Sequence, residues 1–167
     1  MQVKAVAFDI IDTVFDLEPL RPALEAHGLY GADVETLYAA MLRDSMALAT
    51  AGGFAPLADV LGGALDQLRA NRGLAASAPA REAVLAAMKT LPPFPDAGDC
   101  FRRLREAGIA VHALSNGARS STQNLIERAG FAPLFDGIHS VEAAETYKPH
   151  PSVIASYLPK SGYRPAR

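Results

Sequence analysis

A nearly unbroken apolar run near the start of the chain, residues 3–8, leads directly into an aspartate, Asp9. This composition is typical of a strand buried on both faces of a parallel sheet. Ligands of open α/β sheets bind beyond the carboxyl ends of the strands, so we expect Asp9 at a binding crevice, with water removed from its carboxylate. An aspartate placed in this way can act as a covalent nucleophile, whereas the simpler alternative is that Asp9 only caps the following turn.

Residues 16–91 contain apolar residues at helical spacing and no strand-like alternation. We therefore predict an all-helical block, which the proline-rich segment 92–95 ends as a hinge. The predicted helices are a short one opened by Pro19 and Pro22 and ended by Gly28, and three longer ones over about 34–48, 57–68 and 79–91.

Beyond the hinge, helical and strand patterns alternate, which predicts a parallel sheet with helices on its faces. Asp96 can cap the first of these helices. The predicted elements are a helix over 97–104, a strand over 109–114, a helix ending at Ala129, a strand over 137–141 and a helix opened by Pro151 and ended by Pro159, with a turn at Ser161-Gly162.

Bulk properties exclude several classes of partner. The 167 residues carry a net charge of −2 and are 50% hydrophobic, which gives no electrostatic footprint for nucleic acid or for an anionic membrane. One cysteine rules out an internal disulfide, and with no signal peptide or membrane-spanning run we expect a cytoplasmic protein. Cys100 falls on the apolar stripe of its helix, so we expect it in the core.

Three short motifs occur in a fixed order: Phe8-Asp9 with Thr13 following, Leu114-Ser115-Asn116-Gly117, and Tyr147-Lys148-Pro149. Together they resemble the haloacid dehalogenase superfamily, in particular its 2-haloacid dehalogenase branch, over most of the chain and more loosely across 16–91. The resemblance implies an α/β fold with a Rossmann-like parallel sheet core (1–15 and 96–167), a helical cap (16–91) and a site between them.

The resemblance also implies further strands and a fourth motif after the last visible helix, so the C-terminal part of the core would be missing. A parallel sheet without an inner strand exposes unpaired backbone and apolar surface. We therefore expect marginal stability or self-association, with a homodimer as one form.

By resemblance, the activity is displacement of halide from a small 2-haloalkanoic acid through an ester on Asp9. Superfamily phosphatases carry an acid two positions after the nucleophile, whereas this chain has Ile11. Halide needs no proton in order to leave, so Ile11 permits dehalogenation and argues against a phosphatase. Ile154, where these dehalogenases usually carry a tyrosine, departs from the pattern. A catalytically impaired relative or a binding module stays open as the alternative.

The resemblance gives each remaining site residue a role. Lys148 would keep the Asp9 carboxylate ionised and serve as a second catalytic residue. Thr13, Arg43, Ser115 and Asn116 would bind substrate and halide. The alternatives are a solvated surface lysine for Lys148, a simple turn for Ser115-Asn116 and an exposed helical arginine for Arg43.

Asp12 replaces a glycine that the family usually has after the nucleophile. We interpret it as a residue that tolerates a left-handed turn; a substitute acid is the alternative. The resemblance assigns Mg²⁺ in phosphatases to the nucleophile, the backbone carbonyl two positions on and an aspartate of the fourth motif. Since one aspartate and one carbonyl make a poor Mg²⁺ site, we predict no metal and no cofactor.

Overall fold

The computed structural model describes residues 3–157 of the chain. Three parallel strands form one sheet in the order β1 (Ala5–Phe8), β2 (Ala110–Ser115), β3 (Gly137–Ser140). The register places Ala5 beside Ala110 and Ser115 beside Ser140. β2 is therefore the central strand, and its carboxyl end lies between those of its neighbours.

Seven α-helices accompany the sheet among the described residues. Their bounds are α1 (Leu20–Glu25), α2 (Asp33–Thr50), α3 (Leu57–Asn71), α4 (Ala78–Met88), α5 (Ala97–Glu106), α6 (Arg119–Arg128) and α7 (Pro151–Tyr157). Two short 3₁₀ helices, Ala132–Leu134 and Val141–Ala144, precede and follow β3. None of the helices within residues 3–157 is both long and apolar enough to span a bilayer.

The two faces of β2 feed two apolar clusters. Val111 and Ala113 belong to the main core, together with residues of α5, α6 and the helical block α1–α4. Leu114 lies on the other face, in a smaller cluster with Val141, Tyr147 and residues of α7. Since successive side chains of a strand point to opposite faces, the central strand holds both layers of helices.

Local sequence signals set the ends of the cap helices. The Ser77 hydroxyl accepts a hydrogen bond from the Ala80 amide at 3.3 Å, which caps the first turn of α4. α2 ends just before Gly52, whose φ of +75° lies in the left-handed region that glycine adopts without a steric penalty.

The chain enters and leaves the helical block along two adjacent segments. The Asp16 amide donates to the Pro92 carbonyl and the Phe94 amide donates to the Val14 carbonyl, both at 2.9 Å. These bonds tie the exit from the β1 loop to the proline-rich segment 92–95. The α/β class, the parallel sheet and the inserted helical block are thus confirmed.

Several local expectations are wrong. β1 is half-buried with Ala7 exposed, because it pairs with β2 alone among the described strands. Cys100 is exposed, since it lies on the outer side of α5 while Phe101 faces the core. Asp96 precedes α5 but its side chain makes no capping bond. The expectations for Pro159 and Ser161-Gly162 lie outside the described residues.

Candidate active site

Lys148 joins the carboxyl ends of β1 and β2. Its ammonium donates to Asp9 Oδ1 at 2.6 Å and to the Leu114 carbonyl at 2.5 Å. Its backbone amide donates to Asn116 Oδ1 at 2.8 Å, so the main chain of this loop is fixed as well. The Lys148 side chain is 18% exposed, which is consistent with a positioned ammonium rather than a solvated one.

Asp9 presents an accessible carboxylate. Its side chain is 45% exposed, so the expectation that burial removes water from it is wrong. The reason is the half-buried edge position of β1. Among residues 3–157, hydrogen bonds reach Oδ1 alone. Oδ2 is therefore the carboxylate oxygen that an incoming ligand can meet.

The loop after β2 is held by side chains from β2 and from the end of β3. Ser115 is buried, and its hydroxyl accepts from the Gly117 amide at 3.0 Å. Ser140 donates to the Gly117 carbonyl at 2.8 Å, while Glu142 accepts from the Arg119 amide at 2.8 Å. This network fixes the turn that carries Asn116.

Sequence reasoning missed Ser140 and Glu142. The available signal was their position directly after a third strand, where the carboxyl ends of parallel strands converge.

The loop after β1 turns tightly on Asp12. Asp12 has a φ of +60°, and its amide donates to the Phe15 carbonyl at 2.9 Å. This geometry agrees with the interpretation of Asp12 as a left-handed turn residue. Burial raises the pKa of the Asp12 carboxyl, and the nearby negative charges of Asp16, Glu35 and Asp9 raise it further.

Tyr38 of α2 contacts this same loop from the cap. Its hydroxyl donates to the Ile11 carbonyl at 2.9 Å. Burial, and then the charges of Asp9 and Asp12, raise the pKa of Tyr38, so the phenol stays neutral and remains a donor. Sequence reasoning counted Tyr38 only as a member of an apolar helical stripe and so missed this contact.

A cavity of about 140 Å³ lies between the sheet edge and the helical block. The core side contributes Ile11 and the turn from Ser115 to Ala118, and the cap contributes residues of α2, α3 and α4. The lining is mostly aliphatic and aromatic. Polar groups are concentrated at the turn after β2, where Ser115 and Asn116 line the cavity.

Comparison with known proteins agrees with this arrangement. A family model described as haloacid dehalogenase-like hydrolase matches residues 3–167. The chain belongs to this family. It is 32% identical over 166 residues to an (S)-2-haloacid dehalogenase of Xanthobacter autotrophicus, covering 98% of this chain and 65% of that protein. It is 25% identical over 152 residues to a haloacetate dehalogenase of a Moraxella species, covering 90% of this chain and 68% of that protein.

A solved structure is similar over nearly the whole chain. It is an L-2-haloacid dehalogenase of Xanthobacter autotrophicus with chloropropionic acid covalently bound, and the match has a TM-score of 0.88 at 30% identity. The match covers 99% of this chain and 67% of that one, so the chain spans about two thirds of the length of its relatives. The resemblance to haloacid dehalogenases noted in the sequence is thus confirmed.

Within the family, the described residues do not fit the Mg²⁺ site of the phosphatase branch. Lys148 donates to the Asp9 carboxylate, and Tyr38 donates to the Ile11 carbonyl, which is the backbone oxygen such a site would use. No cluster of three or more His, Cys, Asp or Glu side chains within residues 3–157 could hold a metal ion. The donor set is occupied by protein hydrogen bonds, so no step below uses a metal.

The structure brings together Asp9, Lys148, Ser115 and Asn116, but not every predicted site residue. Arg43 is 68% exposed and pairs with Asp44, because it lies on the face of α2 opposite Tyr38. It does not line the cavity. Thr13 is exposed on the turn after β1 with no described hydrogen bond.

His150, which had no assigned role, contacts Ser152 on the surface.

Proposed function

We propose that this protein displaces halide from a 2-haloalkanoic acid through an ester on Asp9. The observation that carries the proposal is the Lys148 ammonium 2.6 Å from Asp9 Oδ1, which orients the carboxylate and leaves Oδ2 available. Catalysis by an aspartate nucleophile needs a positioned carboxylate with one reactive oxygen. The relatives named dehalogenases and the covalent chloropropionate complex of one of them support the same chemistry.

In the first step, Asp9 Oδ2 attacks C2 of the substrate. A bond forms between Oδ2 and C2, the carbon–halogen bond breaks, and the halide leaves with the bonding electrons. In the second step, water attacks the ester carbonyl carbon, the Oδ–carbonyl bond breaks, and a 2-hydroxy acid and the Asp9 carboxylate are released with one proton. Neither step protonates the leaving halide, so Ile11 is compatible with both.

The Ser115-Asn116 turn forms the polar end of the cavity, where we place the leaving halide. Asn116 Oδ1 accepts from the Lys148 amide, which orients the side-chain NH₂ of Asn116 away from that amide as a free donor.

Arg43 does not carry the role of binding the substrate carboxylate, since it pairs with Asp44 on the outer face of α2. Lys89, directly after α4, is the one basic residue that lines the cavity among the described residues. We place the substrate carboxylate near Lys89 and the donors of the turn after β2.

A second candidate function is substrate capture without turnover. It is favoured by the absence, among residues 3–157, of a hydrogen-bonded base beside Asp9 Oδ2 that would activate the water of the second step. In that case the ester on Asp9 accumulates.

The test is to incubate the purified protein with L-2-chloropropionate and to measure intact mass and released chloride together. Chloride release in excess of protein with no lasting mass change is expected for full turnover. A stoichiometric gain of one propionate unit with equimolar chloride identifies the capture function. Asp9→Asn is the control and is expected to give neither signal. Absence of chloride and adduct from a wild-type protein shown to be folded would overturn both functions.

A further inference from the structure

We propose that the cavity beside the site selects 2-haloacids whose C2 substituent is an apolar group of about the size of a benzene ring, rather than the methyl group of 2-chloropropionate. This inference rests on the function proposed above and names the substrate class more closely. It follows from the position, the lining and the volume of one cavity.

The cavity begins where the reacting carbon would lie. Ile11, two residues after Asp9, and the turn from Ser115 to Ala118 form its core side. Asn116 in this turn is bonded to the Lys148 amide, and Lys148 is bonded to Asp9, so the opening lies within one residue of the nucleophile's own partner. A group attached to C2 can enter the cavity while C2 remains beside Asp9.

The interior of the cavity offers apolar surface to that group. Leu57, Leu61, Leu85 and Met88 line it from the cap, and Leu125 lines it from α6. Aliphatic and thioether side chains give no hydrogen bond to a polar substituent, so a hydroxyl or carboxylate placed there would be buried without a partner. A hydrocarbon group would instead leave water for a complementary surface.

The volume sets the size of the group. The cavity measures about 140 Å³. This is close to the ~150 Å³ of an engineered apolar cavity that takes up benzene. A methyl substituent would leave most of the space empty, whereas a benzyl or butyl substituent would fill it. Filling an apolar cavity is favourable by about a fourfold change in binding for each methylene removed from water.

The first test compares halide release from 2-chloropropionate, 2-chlorobutanoate, 2-chlorohexanoate and 2-chloro-3-phenylpropanoate. We expect kcat/KM to rise about fourfold with each methylene, and on the order of 50-fold from the methyl to the benzyl substrate. Equal or falling kcat/KM along the series, with chloride still released from 2-chloropropionate, would overturn this inference and leave the proposed function intact.

Binding without chemistry separates the two proposals. We expect 3-phenylpropanoate, which has no halogen, to bind at least tenfold more tightly than propanoate by calorimetry, in both the wild type and Asp9→Asn. Such binding with no halide release from any substrate would overturn the proposed function while supporting the cavity as the binding site. No preference for 3-phenylpropanoate would overturn the inference.

Leu85→Trp tests the cavity itself, since the larger ring would occupy the space between α4 and the turn after β2. We expect the ratio of kcat/KM for the benzyl over the methyl substrate to fall about tenfold. Leu104→Trp is the matched control, because Leu104 is also a half-buried helical leucine against the main core but does not line the cavity. An equal fall of the ratio in both variants would contradict the assignment.

Discussion

β1 and β2 both end in site residues, but the two strand ends differ in burial. Ser115, the last residue of β2, is 1% exposed. The side chain of Asp9, directly after β1, is 45% exposed. β2 pairs on both edges, whereas β1 pairs on one edge among the described strands. The central strand therefore supplies a rigid support, and the neighbouring strand supplies a reactive group that ligands can reach.

This division suits a reaction at a carboxylate. A nucleophile must be open to its substrate, but its orientation must be fixed, and the exposed end of β1 provides only the first of these conditions. Lys148 provides the second, since its ammonium is held by the buried carbonyl of Leu114 at the end of β2. The order of β2 is thereby transferred to Asp9.

The largest effect is expected when this link is removed. Lys148→Met keeps the length of the side chain but loses both hydrogen bonds, so halide release should fall at least about 100-fold, as for loss of a charged donor at a reacting centre. Chloride release under saturating substrate measures it. Lys4→Met, at an exposed position before β1, is the control. A fall of less than about threefold in Lys148→Met would show that Asp9 needs no such support.

The difference in burial between the strands can be measured at one register position. Val111 of β2 is fully buried, and its partner across the strands, Val6 of β1, is half-buried. Val111→Ala should lower the free energy of unfolding by about 2 kcal/mol, and Val6→Ala by less than about 1 kcal/mol. Urea unfolding of both variants gives the comparison. Equal losses would mean that β1 is as well packed as β2.

A smaller effect is expected at the end of β2. Ser115→Ala removes the acceptor for the Gly117 amide and should cost about 1 kcal/mol of stability. Because the turn carrying Asn116 then loosens, kcat should also fall while the affinity for a carboxylate analogue changes little. Ser152→Ala, at an exposed serine of α7, is the control. Loss of stability with unchanged kcat would limit Ser115 to a structural role.

The smallest effect concerns the other end of β2. The Arg105 guanidinium, together with the Val111 amide, holds the pKa of the Asp136 carboxyl below its usual value. A lowered pKa gives stability that is present above the unfolded-state pKa of about 4 and is lost as the pH falls through the folded-state value. Since both side chains are over a third exposed or nearly so, we expect about 0.5 kcal/mol.

Unfolding of the wild type and Asp136→Asn at pH 7 and pH 3 measures this contribution. The two proteins should differ at pH 7 and approach each other at pH 3. A constant difference across this range would show that the carboxylate charge makes no contribution.

The order of strands and helices was predictable because apolar periodicity depends on local sequence. The motif residues Asp9, Ser115 and Lys148 were also predictable, since strand ends and their order along the chain bring them to one edge. The direction of Arg43 and the contact of Tyr38 with Ile11 were not, because they depend on how α2 rotates against the loop after β1. One residue of helix changes the facing direction by about 100°.

The sequence alone therefore determined the α/β class, the helical insertion and the membership of Asp9 and Lys148 in one site. The tertiary structure decided that Asp9 is exposed, that Ser140 and Glu142 hold the turn after β2, and that an apolar cavity lies between core and cap. The physical reason is that hydrogen-bond patterns along the chain are local, whereas burial and cavity shape depend on packing between segments far apart in sequence.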